Sequence, residues 1–253
     1  MSVLSAYDHY GYAFVAVFGT AVAVWLIDAL MRHARGGAWI ATLRGVVPPF
    51  INIVGVLFGL TLAFLANDTW NAHDRTTNAV YREADALRSL MSITGQSGPA
   101  GAPVQAALRQ YAAAAVEEWP ALARRATLTD AQKQSDALLG AVSARAFAEA
   151  LGPTVHALVL RKVDELRADR DARISLSQTH VNPLKWLGMA FLGFVTLLSV
   201  AVVHAENRRA ALTATILFAL AAAPAAAIVL VQSNPFQPPA KVSPAPIQQA
   251  LGS

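Results

Sequence analysis

The side chains best placed to handle ions in this sequence follow one another in one stretch: Asn67, Asp68, Asn71, His73, Asp74 and Arg75. They come directly after an apolar run, PPFINIVGVLFGLTLAFLA, from Pro48 to Ala66. Repeated around an axis, Asp68 would gather cations and Arg75 anions, because a ring of like charge sets the sign of the ion that enters. Asn67, Asp68 and Arg75 are therefore the pore-mouth candidates, set against the plainer reading of an ordinary passage from membrane to water. His73 beside Asp74 suits a metal or a pH-sensitive site, but a solvated pair at a helix exit explains the same residues.

A second charged stretch, RKVDELRADRDAR from Arg161 to Arg173, carries both signs at helical spacing. Glu165 and Asp169 can each pair with a neighbour three or four residues away, Asp169 with Arg173 for example. This predicts a solvated, salt-bridged face, with an anion-gathering vestibule lining as the alternative. Covalent chemistry has little support. No phosphate-cradling glycine loop, nucleophile elbow or H-E-x-x-H is present. There is no cysteine, and none of the 6 histidines pairs with another at ligand spacing. The chain is thus expected to be no enzyme, to need no cofactor and to hold no metal.

These groups depend on long apolar helices to position them. Of the 253 residues, 55% are hydrophobic and only 14% charged, and the mean hydropathy is +0.41. A soluble domain carries roughly 25% charged residues, so the composition points to a membrane protein. The net charge of +4 sits on arginines beside apolar runs, which suits topology and lipid headgroups rather than nucleic acid. No Lys or Arg precedes the first apolar run, so no cleavable signal peptide is expected.

Four runs have bilayer length: about Gly11–Met31, Val47–Ala66, Leu184–Val203 and Ala210–Val231. Asp28 and Arg32 form an i,i+4 pair at the edge of the first, or else Asp28 is an ion or proton relay. The basic loop from Arg32 to Val46 should lie on the interface, with Trp39 and Ile40 in it. In the second span, Gly55 and Gly59 form a G-x-x-x-G within the stripe Asn52, Gly55, Gly59, Ala63, Ala66 and Trp70, which suits close helix packing. Val54, Phe58, Thr61, Leu65 and Asp68 form a second stripe. It is either a packing face or, in an oligomer, a pore lining.

No Gly or Pro interrupts the chain between Gly59 and Gly95, so one helix is expected to leave the membrane and continue to about Ile93. Helices then follow over about Val104–Trp119, Leu122–Arg125, Ala131–Leu151 and Thr154–Thr179. Trp119-Pro120 and Gly152-Pro153 act as breaks, and Thr129-Asp130 caps the third. Pro224 should kink the last span. The whole is an all-α membrane protein with four transmembrane helices and a helical soluble domain inserted between the second and third. Its parts are 1–66, 67–183, 184–231 and a Pro-rich tail, 232–253, that is mostly extended. Both termini and the domain share one side of the membrane. The arginines flanking the spans are nearly balanced, so which side stays open.

Several stretches together resemble the bestrophin-like membrane proteins of bacteria, the DUF4239 family. They are PFINIVGVLFGLTLAFLANDTW with YREADALRSL, EEWP at Glu117–Pro120, LRADRDARIS at Leu166–Ser175, NPLKW at Asn182–Trp186, and NPFQPPAKVSPAPIQQAL at Asn234–Leu251. The resemblance implies distant similarity to bestrophins, which are pentameric anion channels, chloride among their ions, with four spans per subunit. It implies a homo-oligomer in the lipid bilayer of a bacterial inner membrane, with small inorganic ions as its partners. In bestrophins the second span lines the pore through an apolar neck; by position Phe58, Thr61 and Leu65 correspond. The bestrophin calcium-binding acidic cluster has no counterpart here. The rival expectation is a non-conducting scaffold or sensor, whose helical domain binds a partner or ligand and signals through the long second helix.

Overall fold

A computed structural model of the chain describes residues 7–33, 42, 47–179 and 182–251. The interfacial expectation for Trp39, Ile40, Arg35 and Arg44 lies outside them, as does His180. The described residues are helical, with no strand among them. The elements are α1 (Asp8–Arg32), α2 (Val47–Gly95), α3 (Ala102–Glu117), α4 (Trp119–Ala123), α5 (Thr129–Val142), α6 (Arg145–Ser177), α7 (Pro183–Val203), α8 (Arg208–Val231) and α9 (Ala245–Gln249). α2 is one helix of 49 residues, which matches the absence of breakers in its sequence. The chain divides into two compact units.

The first unit holds α1, the first half of α2, α7 and α8. Four helices are long and apolar enough to cross a membrane. Ile27, Leu197 and Ala201 form one buried cluster. Leu65, Met189 and Ala226 form another, with Phe58 and Leu62 against it. The outward side chains are apolar too, Phe14, Phe18, Trp25, Phe191, Leu217 and Leu220 among them. Such a surface needs lipid rather than water around it. The helix starts are built for this setting: Asn182 accepts from the backbone N–H of Leu184 and Lys185, and Asn207 from those of Arg209 and Ala210, which satisfies donors that would otherwise have no partner. α8 runs on through Pro224.

Asp28 is buried and pairs with Arg32 one turn on, as its spacing predicts. It also binds Arg208, at 2.8 and 3.1 Å, so it ties α1 to the start of α8.

The second unit is a helical bundle made of the rest of α2, α3 to α6, and the tail from Asn234. Its core is continuous, and three segments meet it with the same alternating spacing of four and three. They contribute Thr76, Val80, Glu83, Leu87, Leu90 and Thr94; Val104, Leu108, Tyr111, Ala115, Glu118 and Leu122; and Val159, Val163, Leu166, Arg170, Arg173 and Ser177, all buried. This is the periodicity of helices packed side by side.

Three expectations are corrected here. The helix expected over Ala131–Leu151 splits, because α5 ends at Val142 and Ala144 is extended before α6. The His156 ring lies 3.0 Å from the Val142 carbonyl oxygen at that end. Gly152 kinks α6 at φ 73°, ψ 164°, a region essentially confined to glycine, and the following Pro153 disfavours an α conformation there. The start of α5 is not capped by Thr129 or Asp130; the Leu128 N–H donates to the Glu118 carboxylate instead. The tail is not merely extended: Phe236, Val242, Ile247 and Ala250 enter the core.

Candidate functional site

In the first half of α2 the candidate residues divide by face. Phe58 packs on Phe218 with ring centroids 5.7 Å apart, and its ring edge comes within 3.1 Å of where a Cβ on Gly193 would stand. Gly193 therefore leaves the room that the Phe58 ring occupies. Leu65 is buried with Met189 and Ala226. The Thr61 hydroxyl donates to the Leu57 carbonyl at 2.8 Å, which satisfies it within its own helix, as an apolar setting requires.

By contrast, a Cβ at Gly55 or Gly59 would meet nothing within 4 Å. Asn52 and Ala63 of the same stripe are exposed, and so are Ile53, Leu57, Leu60 and Phe64 of the adjoining face. Where α2 leaves the apolar run, Asp68 accepts from Lys185 Nζ at 2.6 Å, and Trp70 Nε1 donates to Gln232 Oε1 at 3.3 Å. Asn67 is exposed. Further along α2, Asp74 and Arg75 are exposed as well. Among the described residues, no three His, Asp or Glu side chains could together hold a metal ion.

The helical unit contains a charge network that the solvated-face expectation for Arg161–Arg173 does not foresee. Arg170 and Arg173 are buried, on the inner stripe of α6. Arg173 grips Glu83 of α2, Nε to Oε2 at 2.9 Å and Nη2 to Oε1 at 3.2 Å. The Tyr111 hydroxyl donates to the same carboxylate at 2.7 Å. Arg170 donates to Glu118 at 2.8 Å and to Gln132 Oε1 at 2.8 Å. Arg173 Nη1 also stands 3.6 Å from Glu118 Oε2, so the two pairs join into one group of zero net charge. Asp169, expected to pair with Arg173, instead binds Arg82 at 2.8 Å. Glu165 does pair locally, with Lys162 and Arg161.

Burial and charge together set the protonation of this group. For Arg173, burial pulls the pKa down, but Glu83, Tyr111 and Glu118 together more than offset this, so the guanidinium is held above its ordinary value. Burial, then the Glu83 charge, pushes the Tyr111 hydroxyl well above the usual tyrosine range. The tail is fastened to the same group. The Arg173 guanidinium lies 4.8 Å from the centre of the Trp119 ring, a cation–π contact strengthened by the loss of water. The Trp119 N–H donates to the Val242 carbonyl at 2.9 Å, and Phe236 meets Trp119 edge to face. A buried network of this kind, with equal numbers of arginines and glutamates, holds helices in register.

The stretches YREADALRSL, EEWP, LRADRDARIS and the Pro-rich tail, far apart in sequence, thus supply Glu83, Glu118 and Trp119, Arg170 and Arg173, and Phe236 and Val242 to one place. A signal for this was present in the sequence. Arg170 and Arg173 continue the stripe Val159, Val163 and Leu166, and Glu83 continues that of Val80, Leu87 and Leu90. A charge occupying an apolar position of a stripe marks a buried pair.

No curated protein sequence matches the chain. Among solved structures, a membrane-protein variant superposes with a TM-score of 0.69 at 13% identity, covering 94% of this chain and 96% of that chain. Two variants of a bacterial bestrophin homologue from Klebsiella pneumoniae superpose with TM-scores of 0.67 and 0.63 at 14% identity; they cover 94% and 97% of this chain and 97% of each of theirs. At such identities the likeness is one of fold. Residues 15–247 match the Bestrophin-like domain, a span that takes in most of α1, the other three apolar helices, the buried network and most of the tail. The chain belongs to the bestrophin-like family.

Proposed function

We propose that the protein is an ion channel built from several copies, five by resemblance to bestrophins, with the second span of each copy lining the pore. It conducts anions, chloride among them, across a bacterial inner membrane and catalyses no covalent step. The observation that carries this reading is the open face of α2. Asn52 is exposed on a single copy, and a polar side chain at membrane depth is matched by protein or by a water-filled path rather than by lipid. Gly55 and Gly59, on the same stripe, have open space before them, which leaves room for a neighbouring copy. Apolar side chains along α2 then gate by dewetting. Family membership supports the reading without fixing the ion or the copy number.

The neck residues proposed by position are Phe58, Thr61 and Leu65, with Asn67, Asp68 and Arg75 at the mouth. The adjoining exposed residues Leu60 and Phe64 provide the discriminating comparison. Purified protein in liposomes is tested for flux under separate chloride, potassium and sodium gradients. Selective anion flux altered by Phe58→Ala or Leu65→Ala places the neck where proposed. Flux altered only by Leu60→Ala or Phe64→Ala moves it to the outer face. Because Phe58 packs on Phe218, each variant's thermal stability is measured alongside. A correctly inserted protein that passes no ion favours the scaffold or sensor reading, for which the unbroken length of α2 would be the signalling element.

A further inference from the structure

In the helical unit, the tail and α2 enclose a cleft of about 330 Å³. Its polar lining is His73, Thr77 and Tyr81 from α2, with Lys241, Ser243 and Gln249 from the tail. The three α2 residues recur at intervals of four and so share one face of the helix. Every one of the six can donate a hydrogen bond, and no acidic side chain lines the cleft. Lys241 has no ion-pair partner among the described residues. His73 Nδ1 is shut away from solvent with no hydrogen-bond partner there. Ser243 Oγ accepts from the Ala245 N–H at 3.2 Å, which leaves its own hydrogen free to donate. The remaining lining is carbon, from Val80, Ala245 and Pro246 among others.

We propose that this cleft binds a small organic acid. A cation without a counter-charge, in a cleft whose polar lining can donate hydrogen bonds and holds no acidic side chain, calls for an anion. Lys241 meets the carboxylate as a point charge, and His73, Thr77 and Tyr81 supply hydrogen bonds in fixed directions from a rigid helix. The apolar part of the lining covers a short carbon skeleton, which a bare inorganic ion would leave uncovered. The volume lies at the small end of ordinary ligand sites. Because one wall is α2 and the other the tail, an occupied cleft fastens the tail to α2 more firmly. The site stands independently of conduction.

The test is thermal unfolding of the full-length protein in detergent, with butyrate or succinate added and with inorganic phosphate or chloride at matched ionic strength as controls. The organic acids are expected to raise Tm saturably, by about 5 °C at a hundredfold excess over Kd. Lys241→Gln should abolish the rise, and His73→Gln or Tyr81→Phe should weaken Kd about tenfold. Lys241 and Tyr81 are exposed, so their variants fold, and circular dichroism verifies it. The proposal is overturned by the absence of any rise, by a rise undiminished in Lys241→Gln, or by an equal rise with phosphate or chloride.

Discussion

Two carboxylates, Asp28 in the membrane unit and Glu83 in the helical unit, are each gripped from two sides, yet in different surroundings. Asp28 is buried, but its partners Arg32 and Arg208 keep 60% and 48% of their side-chain surface exposed. Glu83 and its partner Arg173 are both fully buried, and Tyr111 closes the remaining side. The first arrangement lets each guanidinium snorkel toward polar headgroups while its inner edge holds two helices together. The second has no access to water, so each charge depends entirely on its partner. The arginines that hold Asp28 are therefore replaceable in part by solvent and lipid; the arginine that holds Glu83 is not.

The sharpest way to break that contrast is Arg173→Ala. It leaves Glu83 buried and unpaired, with an expected loss of about 3–5 kcal/mol, read by thermal or chemical unfolding of the whole chain. Joint replacement, Arg173→Met with Glu83→Met, should restore most of the loss, since no lone charge remains. A loss no larger than for a surface pair would show that water reaches the network.

Tyr111 offers a test through pH. Its folded pKa is raised above the ordinary value of 10.0. The folded protein therefore keeps the proton where the unfolded chain releases it. The stabilising contribution is complete below pH 10.0 and is lost progressively as pH rises above that value. Each unit of difference corresponds to about 1.4 kcal/mol. Tyr111→Phe should flatten the alkaline limb of a stability-against-pH curve.

Asp28→Asn should cost less, about 1–2 kcal/mol, because charge-assisted hydrogen bonds weaken to neutral ones while both arginines retain access to solvent. The smallest effect belongs to the exposed pair Lys185–Asp68: Lys185→Ala should change stability by less than about 1 kcal/mol, and high salt should erase the difference. A larger loss would mean that the pair is shielded once copies assemble.

The secondary structure was largely legible in the sequence where a single physical requirement dominated. Apolar runs of bilayer length gave the four spans, and the absence of breakers gave α2 its 49 residues. Boundaries were least legible between α5 and α6, where Gly152-Pro153 looks like the stronger break. Gly152 does leave the helical conformation there, as expected, but the chain breaks a second time at Ser143 and Ala144, because a terminus is set by what its last carbonyls meet as well as by local propensity.

By itself, the sequence determined an all-helical membrane chain, the order and length of its spans, the Asp28–Arg32 pair and the resemblance to a family. Each of these rests on neighbours in sequence: run length, a spacing of four, or a short motif. Only the tertiary structure decided that Arg173 pairs with Glu83, 90 positions away, rather than with Asp169. It also decided that Phe58 turns toward Phe218 while Gly55 and Gly59 stay open, and that the Pro-rich tail is core. An apolar stripe tells which face of a helix is buried, but it does not say against what. A charge on that face is tolerable only when a distant segment delivers its partner.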